Sequence, residues 1–254
     1  MQHKVQYKLW STLLDAYQNY IDAADIYEEY WGYSDNPKYS LQEFEGKQYQ
    51  ALLDNINKVP FDNNAAAKGT AFNEVIDCMV LHQNTNKMKI TKEYGNDGNL
   101  WGVKVVFGER EFLFPLALCK QYADYYKGAV PQQYVEATLP TAYGDILLYG
   151  YTDYILPLKI CDLKTTTRYS VGKFKKHYQH LVYPYCLQQN GANINHFEYN
   201  VVVWGKYNNE SYTESYLFRP ERDIPRLTTT CEDIARFLQD NRDKITNKKI
   251  FALE

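Results

Sequence analysis

Gly150-Tyr151-Thr152-Asp153-Tyr154-Ile155, followed by Cys161-Asp162-Leu163-Lys164-Thr165-Thr166, reads as two short strands that bring two carboxylates and one ammonium together. Alternate side chains of a strand share a face, so Asp162 and Lys164 point one way and Leu163 the other. Pro157 and the short link over residues 156–159 suit a hairpin turn, which folds Asp153 back beside Asp162. Two adjacent carboxylates repel each other unless a cation lies between them. Oxygen-only ligands with open positions suit Mg²⁺ or Mn²⁺. A lysine two residues along orients a water or screens charge developing on a phosphate. Taken alone, a D-x-K tripeptide is most often a surface ion pair of little worth, so its surroundings decide.

Upstream of these strands the chain is mostly helical in pattern. Residues 11–31 have helical periodicity, with Ser11 as N-cap and Leu14, Tyr17, Ile21 and Ala24 along one side. Residues 41–56 and 65–81 are further helices, the latter with an apolar stripe of Phe72, Val75, Ile76 and Met79. A polar loop around one short strand covers 84–99, a hairpin turning at Gly108-Glu109 covers 101–114, and a helix runs from 115 to 127. Residues 134–139, 145–156 and 158–163 are then β-rich. They are followed by a helix over 172–189, expected to kink at Pro184, strands over 197–204 and 212–218, and a closing amphipathic helix over 224–245. From residue 65 the order is helix, inserted hairpin and helix, three strands, helix, strand. The expected fold class is therefore α/β (α+β), a mixed central β-sheet flanked by helices.

The 254 residues suit one domain, and 45% hydrophobic residues supply a sizeable core. A formal net charge of -3 gives no global sign of nucleic-acid binding. The distribution says more. No Asp or Glu occurs between Leu163 and Phe197, a stretch holding Lys164, Arg168, Lys173, Lys175 and Lys176, a basic patch suited to a phosphate backbone or to a solvated helix face. The 25 tyrosines supply packing area with a polar tip and can also stack on bases. Five scattered cysteines with no C-x-x-C pair exclude a zinc ribbon and fit buried free thiols in a reducing cytoplasm. The opening residues 1–6 lack an apolar signal core, and no run approaches the roughly 18 apolar residues of a membrane span, so a soluble cytoplasmic protein without a membrane partner is expected.

Gly150-Tyr151-Thr152-Asp153 and Asp162-Leu163-Lys164-Thr165, on the second and third of three strands, resemble the G-x-x-D and D-x-K-T motifs of the PD-(D/E)XK nuclease superfamily, RecB-like branch. That branch carries Q-x-x-x-Y on the next helix, and Gln179-His180-Leu181-Val182-Tyr183 stands in that place, its ends sharing a helix face. The resemblance covers about residues 65–205, with 83–130 as an insertion. Residues 1–64 form an N-terminal helical extension and 206–254 a C-terminal strand and helix, all within a single nuclease domain. One motif departs from the pattern. The branch usually has G-x-x-x-H on its first core helix, whereas Gly69-Thr70-Ala71-Phe72-Asn73-Glu74 puts Asn73 where the metal-ligating histidine is expected. Other branches use a glutamate there, and Glu74 is adjacent. Helical geometry sets Asn73 beside the Phe72/Ile76 stripe and Glu74 nearly opposite it, which leaves open which one completes the site.

The resemblance implies a restriction-endonuclease-like core and a Mg²⁺- or Mn²⁺-dependent deoxyribonuclease that hydrolyses DNA and leaves a 5′-phosphate. Asp153, Asp162, the main-chain carbonyl of Leu163, and Asn73 or Glu74 would hold the metal. Lys164 would position water or neutralise the scissile phosphate, and Gln179 and Tyr183 would contact substrate or brace Lys164. Arg168, Lys173, Lys175 and Lys176 would track the DNA backbone. RecB-like domains serve repair, recombination, CRISPR adaptation and phage replication. The cysteine pattern argues against the iron–sulfur branches, so a free-standing exonuclease of recombination, repair or phage type, with corresponding partner proteins, is the expected setting. The alternative is a catalytically silent nucleic-acid-binding or scaffolding module on the same fold.

Overall fold

The structure is a computed structural model describing residues 4–206 and 208–252; residues 1–3, 207 and 253–254, which belong to the expected N-terminal and C-terminal segments, lie outside the described residues. Its central sheet is built around one long strand, β6 (Asp145–Leu156), which pairs antiparallel with β5 (Val130–Leu139) along one edge. Two strands share the other edge. β1 (Val5–Trp10) runs parallel to the first half of β6 and ends at Trp10↔Tyr149. β7 (Lys159–Thr166) pairs antiparallel with the last three residues, beginning at Tyr154↔Cys161. Residues 150–153 therefore face a gap, and the sheet forks there. β8 (His196–Val203) lies parallel to β7, and β9 (Glu210–Leu217) antiparallel to β8.

The expected mixed sheet flanked by helices is present. Its core order is α4 (Asn64–Leu81), β5, β6, β7, α6 (Gln179–Gln189), β8. The helices α1 (Ser11–Ile21), α3 (Leu41–Ile56), α6 and α7 (Pro220–Asp240) contribute, with Ile146, Leu148 and Ile160 of the sheet, to the larger apolar core. α2 (Ala23–Trp31) packs on α3. A smaller core gathers α4, a three-stranded sheet of β2 (Lys89–Tyr94), β3 (Leu100–Phe107) and β4 (Arg110–Pro115), and α5 (Leu116–Tyr125) against Tyr154, Cys161 and Leu163. The alternation on β7 separates the two: Ile160 joins the larger core, while Cys161 and Leu163 join the smaller.

Local chemistry accounts for several boundaries. Ser40 and Glu43 close a reciprocal capping box at the start of α3, and the Asn63 side chain accepts the Ala66 N–H at the start of α4. Pro220 occupies the first turn of α7, where its missing N–H costs nothing, so that helix begins before residue 224. All five cysteines are free thiols, four of them buried. Among the described residues no helix is long and apolar enough to cross a membrane.

Four expectations need correction. The N-terminal extension is not wholly helical, because β1 is a strand of the central sheet, with Tyr7 and Leu9 buried and Lys8 exposed. The helical run over 11–31 is broken at Asp22 into α1 and α2. Ser11 is not an N-cap; it lies inside α1, and its hydroxyl donates to Tyr183 instead. The helix expected from residue 172 starts at Gln179. Gly172 sits at φ 81°, a left-handed conformation that ends helical propagation, and Glu214 of β9 accepts the N–H groups of Gly172 and Phe174. The Tyr178 N–H then goes to Asp15 of α1 at 2.7 Å.

Candidate active site

The fork in β6 collects the motif residues. Where the β6–β7 ladder stops, the carboxylate of Asp153 takes over from the missing strand and accepts the Leu163 N–H at 2.8 Å. On β7, Asp162 is 2% exposed and has two partners. Gln179 Nε2 donates to its Oδ1 at 2.6 Å, and Lys164 Nζ lies 2.7 Å from its Oδ2. The D-x-K pair is therefore an ion pair after all, but a buried one, and a buried pair is costly to break where a surface pair is nearly free.

α6 reaches the fork through two side chains one turn apart. Gln179 meets Asp162, and Tyr183 lies over Gly150, its hydroxyl accepting from Ser11 at 3.3 Å and from Gln179 at 3.5 Å. A Cβ on Gly150 would come within 2.7 Å of the Tyr183 ring, so the first glycine of the G-x-x-D motif is required for this approach. Gln179 thus braces Asp162 directly, where the sequence left it to contact substrate or brace Lys164.

From the opposite face comes α4. Gly69 packs so closely on β7 that a Cβ there would lie 2.8 Å from Thr165 Oγ1, and two turns later Asp77 accepts the Tyr154 hydroxyl at 2.6 Å. Asn73 is midway between them on the same helix face. Glu74 is turned away and pairs with Lys87 at 2.8 Å. Of the two residues the sequence left open, Asn73 is therefore the one on the stripe that spans β7 and β6.

Electrostatics follow from this crowding. Burial, then the neighbouring Asp162 charge, raises the Asp153 carboxyl above the ordinary carboxylate range, against the pull of Lys164 and the Leu163 N–H. Burial disfavours the Lys164 ammonium, but Asp162 and Asp153 outweigh it and its pKa is raised. Asp77 is also raised by burial, despite hydrogen bonds from Tyr154 and Gln132. Gln132 is held in the left-handed region at φ 50°, a strain of roughly 1–2 kcal/mol for a residue with a Cβ.

Among the described residues no group of three or more His, Cys, Asp or Glu is placed to hold a metal. Among the site residues, Asn73 Oδ1 and Gln179 Oε1 are buried without a hydrogen-bond partner, as is Asn55 Oδ1 on α3, while Asp162 Oδ2 has only the Lys164 ion contact. Two carboxylates with neutral carbonyl oxygens fit Mg²⁺ or Mn²⁺, which commonly take one or two carboxylates and retain water.

Of the expected backbone-tracking cations, Arg168 and Lys175 are exposed. Lys173 donates to Thr166 Oγ1 and the Arg168 carbonyl, and Lys176 is paired with Asp22 at 2.7 Å. The sequence reading missed Asp77 and the role of Ser11. Asp77 carried a signal, since it stands four residues after Asn73 and eight after Gly69. Ser11 carried none, because nothing local ties it to a residue 172 positions away.

No model of a protein family and no curated protein matches the chain. Among solved structures it is similar to "Crystal structure of SSO0001", at 11% identity over 93% of this chain and 78% of that one, with a TM-score of 0.42. At that TM-score the likeness bears on neither fold nor function.

Proposed function

We propose that this chain is a metal-dependent nuclease that hydrolyses DNA phosphodiester bonds, in the manner of RecB-like exonucleases of recombination, repair or phage type. The observation that carries this reading is the convergence of Asp153, Asp162 and Lys164 at a fork of the sheet, beside the buried and unpartnered Gln179 Oε1. Asp153, Asp162, the Leu163 carbonyl and Asn73 would hold Mg²⁺ or Mn²⁺. A divalent ion so held supplies Lewis acidity toward water and toward a phosphoryl oxygen.

The chain's own residues account for the rest. Gln179 fixes the Asp162 carboxylate, and Lys164 presents a cation that offsets charge building on the scissile phosphate. Tyr183 and Ser11 hold the wall behind Gly150. Arg168 and Lys175, with lesser contributions from the engaged Lys173 and Lys176, steer the DNA backbone toward the fork, an attraction that weakens with salt.

Purified chain incubated with labelled single- and double-stranded DNA should cut in Mg²⁺ or Mn²⁺ and stop in a chelator. Asp162→Asn and Lys164→Ala should each lower the rate by roughly 100-fold or more. Absence of cleavage in both metals, or variants that cut like the parent, would overturn the reading. One observation favours a silent binding module instead, namely that Lys164 already supplies Asp162 with a counter-charge. Metal titration separates the two: DNA binding without any metal binding that depends on Asp153 and Asp162 supports the silent module.

A further inference from the structure

Beside the fork, on β1, β5 and β6, four aromatic rings form a continuous row. Tyr151 and Tyr149 precede Asp153 by two and four residues on β6, roughly 7 and 13 Å along the strand. Tyr134 on β5 has its ring centroid 5.2 Å from Tyr151 and 6.3 Å from Tyr149, and Trp10, the last residue of β1, is 6.0 Å from Tyr149. All three contacts are tilted, at 57°, 42° and 54°, so the rings do not stack on one another. Tyr151 is 60% exposed and Tyr134 40%, and the two rings lie side by side.

Cations gather at the far end of this row. A groove of about 260 Å³ is lined by Lys8, Lys58 and Lys249 beside Trp10 and Tyr149. Its lining carboxylate, Glu136, is engaged by the Tyr134 hydroxyl at 2.6 Å. Lys58 holds a left-handed backbone, φ 53°, and its ammonium lies 4.5 Å from the Trp10 ring and 3.1 Å from the Tyr149 hydroxyl. That left-handed position terminates α3, with the Val59 N–H returning to the Asp54 carbonyl at 2.9 Å, and it turns the Lys58 side chain onto the aromatic floor.

We infer that the Tyr151–Tyr134–Tyr149–Trp10 row and its three lysines form a binding platform for a single-stranded polynucleotide, whose bases stack on Tyr151 and Tyr134 and whose phosphates meet Lys58, Lys8 and Lys249. Two features select a single strand. Exposed ring faces can take only bases that are not already stacked in a duplex. The ring-to-ring steps are also much wider than the roughly 3.4 Å spacing of a duplex strand. The row leads along β6 to Asp153, so the platform rests on the nuclease reading only for what happens to the strand at the fork, not for its binding.

The test is fluorescence anisotropy of full-length chain with a labelled oligothymidylate, and with a duplex of equal length, in chelator so that hydrolysis plays no part. Tyr151→Ala and Tyr134→Ala should each weaken single-strand binding roughly 5- to 150-fold. Tyr151→Phe, which keeps the ring, should stay within about twofold of the parent, as should Tyr33→Ala, an exposed tyrosine outside the row. Lys58→Ala should shallow the dependence of log affinity on log salt by about 0.7. Unchanged single-strand affinity in both alanine variants would overturn the platform, as would equal losses in Tyr33→Ala, a parent that binds only duplex, or a parent that binds neither. Tyr151-dependent binding by a chain that never cleaves would keep the platform and reject the nuclease. Cleavage with Tyr151-independent binding would do the reverse.

Discussion

Gly150→Ala is the sharpest probe of how the fork is built. In a strand with open space on both faces, replacing glycine by alanine gains about 0.5–1 kcal/mol, because glycine loses more conformational freedom on folding. Here the new Cβ would sit 2.7 Å from Tyr183 Cε1 and 3.1 Å from its hydroxyl. Tyr183 is 4% exposed and its hydroxyl is shared by Ser11 and Gln179, so the ring has nowhere to swing. Overpacking of this kind costs about 1–3 kcal/mol, which exceeds the entropic gain. The net expectation is a loss of about 1–2 kcal/mol, or about 2–8 °C in Tm for a chain of this size. Urea unfolding of four proteins tests it: parent, Gly150→Ala, Tyr183→Ala and the double variant. The three atoms nearest that Cβ all belong to the Tyr183 phenol, so without it no contact is closer than 3.3 Å and Gly150→Ala should be near neutral or stabilising, with a coupling energy of about 1 kcal/mol or more. A Gly150→Ala protein as stable as the parent, or an equal cost in both backgrounds, would refute the close approach of α6 to the fork.

Three further outcomes follow from the charges. Lys164→Ala leaves the 2%-exposed Asp162 carboxylate with Gln179 as its remaining partner; breaking a buried pair costs about 3–5 kcal/mol, and the 28% exposure of the Lys164 side chain moves the expectation to about 2–3 kcal/mol, read by urea unfolding. In that variant Mn²⁺ should raise Tm more than in the parent, since the ion no longer competes with an ammonium; an equal or smaller rise would count against metal binding at Asp162. In metal-free protein the raised Asp153 pKa means that the folded state holds a proton the unfolded state releases, so this residue's contribution to stability declines as pH rises from about 4 toward neutrality. Asp153→Asn should therefore stabilise more at pH 7.5 than at pH 5, and a difference of the opposite sign would contradict the crowding of the two carboxylates. His180 behaves in the other direction. Burial, then Arg226, lowers its pKa to about 3, so stability is lost as pH falls below the unfolded value of about 6.5, and His180→Gln should flatten the acid limb of the urea-midpoint profile.

The core strands and most helices were legible because their signals are local: alternation on β7, the apolar stripe of α4, and the turn at Gly108-Glu109. What escaped was set by distant partners. Residues 172–177 resemble a helix start by composition, but Glu214, some forty residues away, captures their N–H groups. α6 buries every residue from Gln179 to Cys186, so it has no polar face whose onset would mark its first turn. β1 is six residues long, and its Tyr7/Leu9 alternation is too brief to stand out until β6 provides an edge for it. The site itself was half legible. The strand pattern and the family resemblance put Asp153, Asp162, Lys164, Gln179 and Tyr183 in one neighbourhood, whereas the Lys87 pairing of Glu74 lay beyond any local signal.

The energetics of the fork also bear on whether it is a structural feature or a working site. Asp153 and Asp162 face one ammonium, Lys164, in a region where burial raises the Asp153 pKa and that of the nearby Asp77. If the fork served only to close the sheet, apolar side chains of similar volume would do so at equal or better stability, by up to about 1–4 kcal/mol. Glycines at 69 and 150 add to that cost, since each gives up side-chain packing to let a polar side chain come close. A cluster that forces the Asp153 carboxyl above its ordinary range, and leaves the oxygens of Asn73 and Gln179 without donors, gives up stability that the proposed site would recover on taking up a cation. On the proposed reading a divalent cation would fill that role, and a polynucleotide held along the tyrosine row would meet it at Asp153.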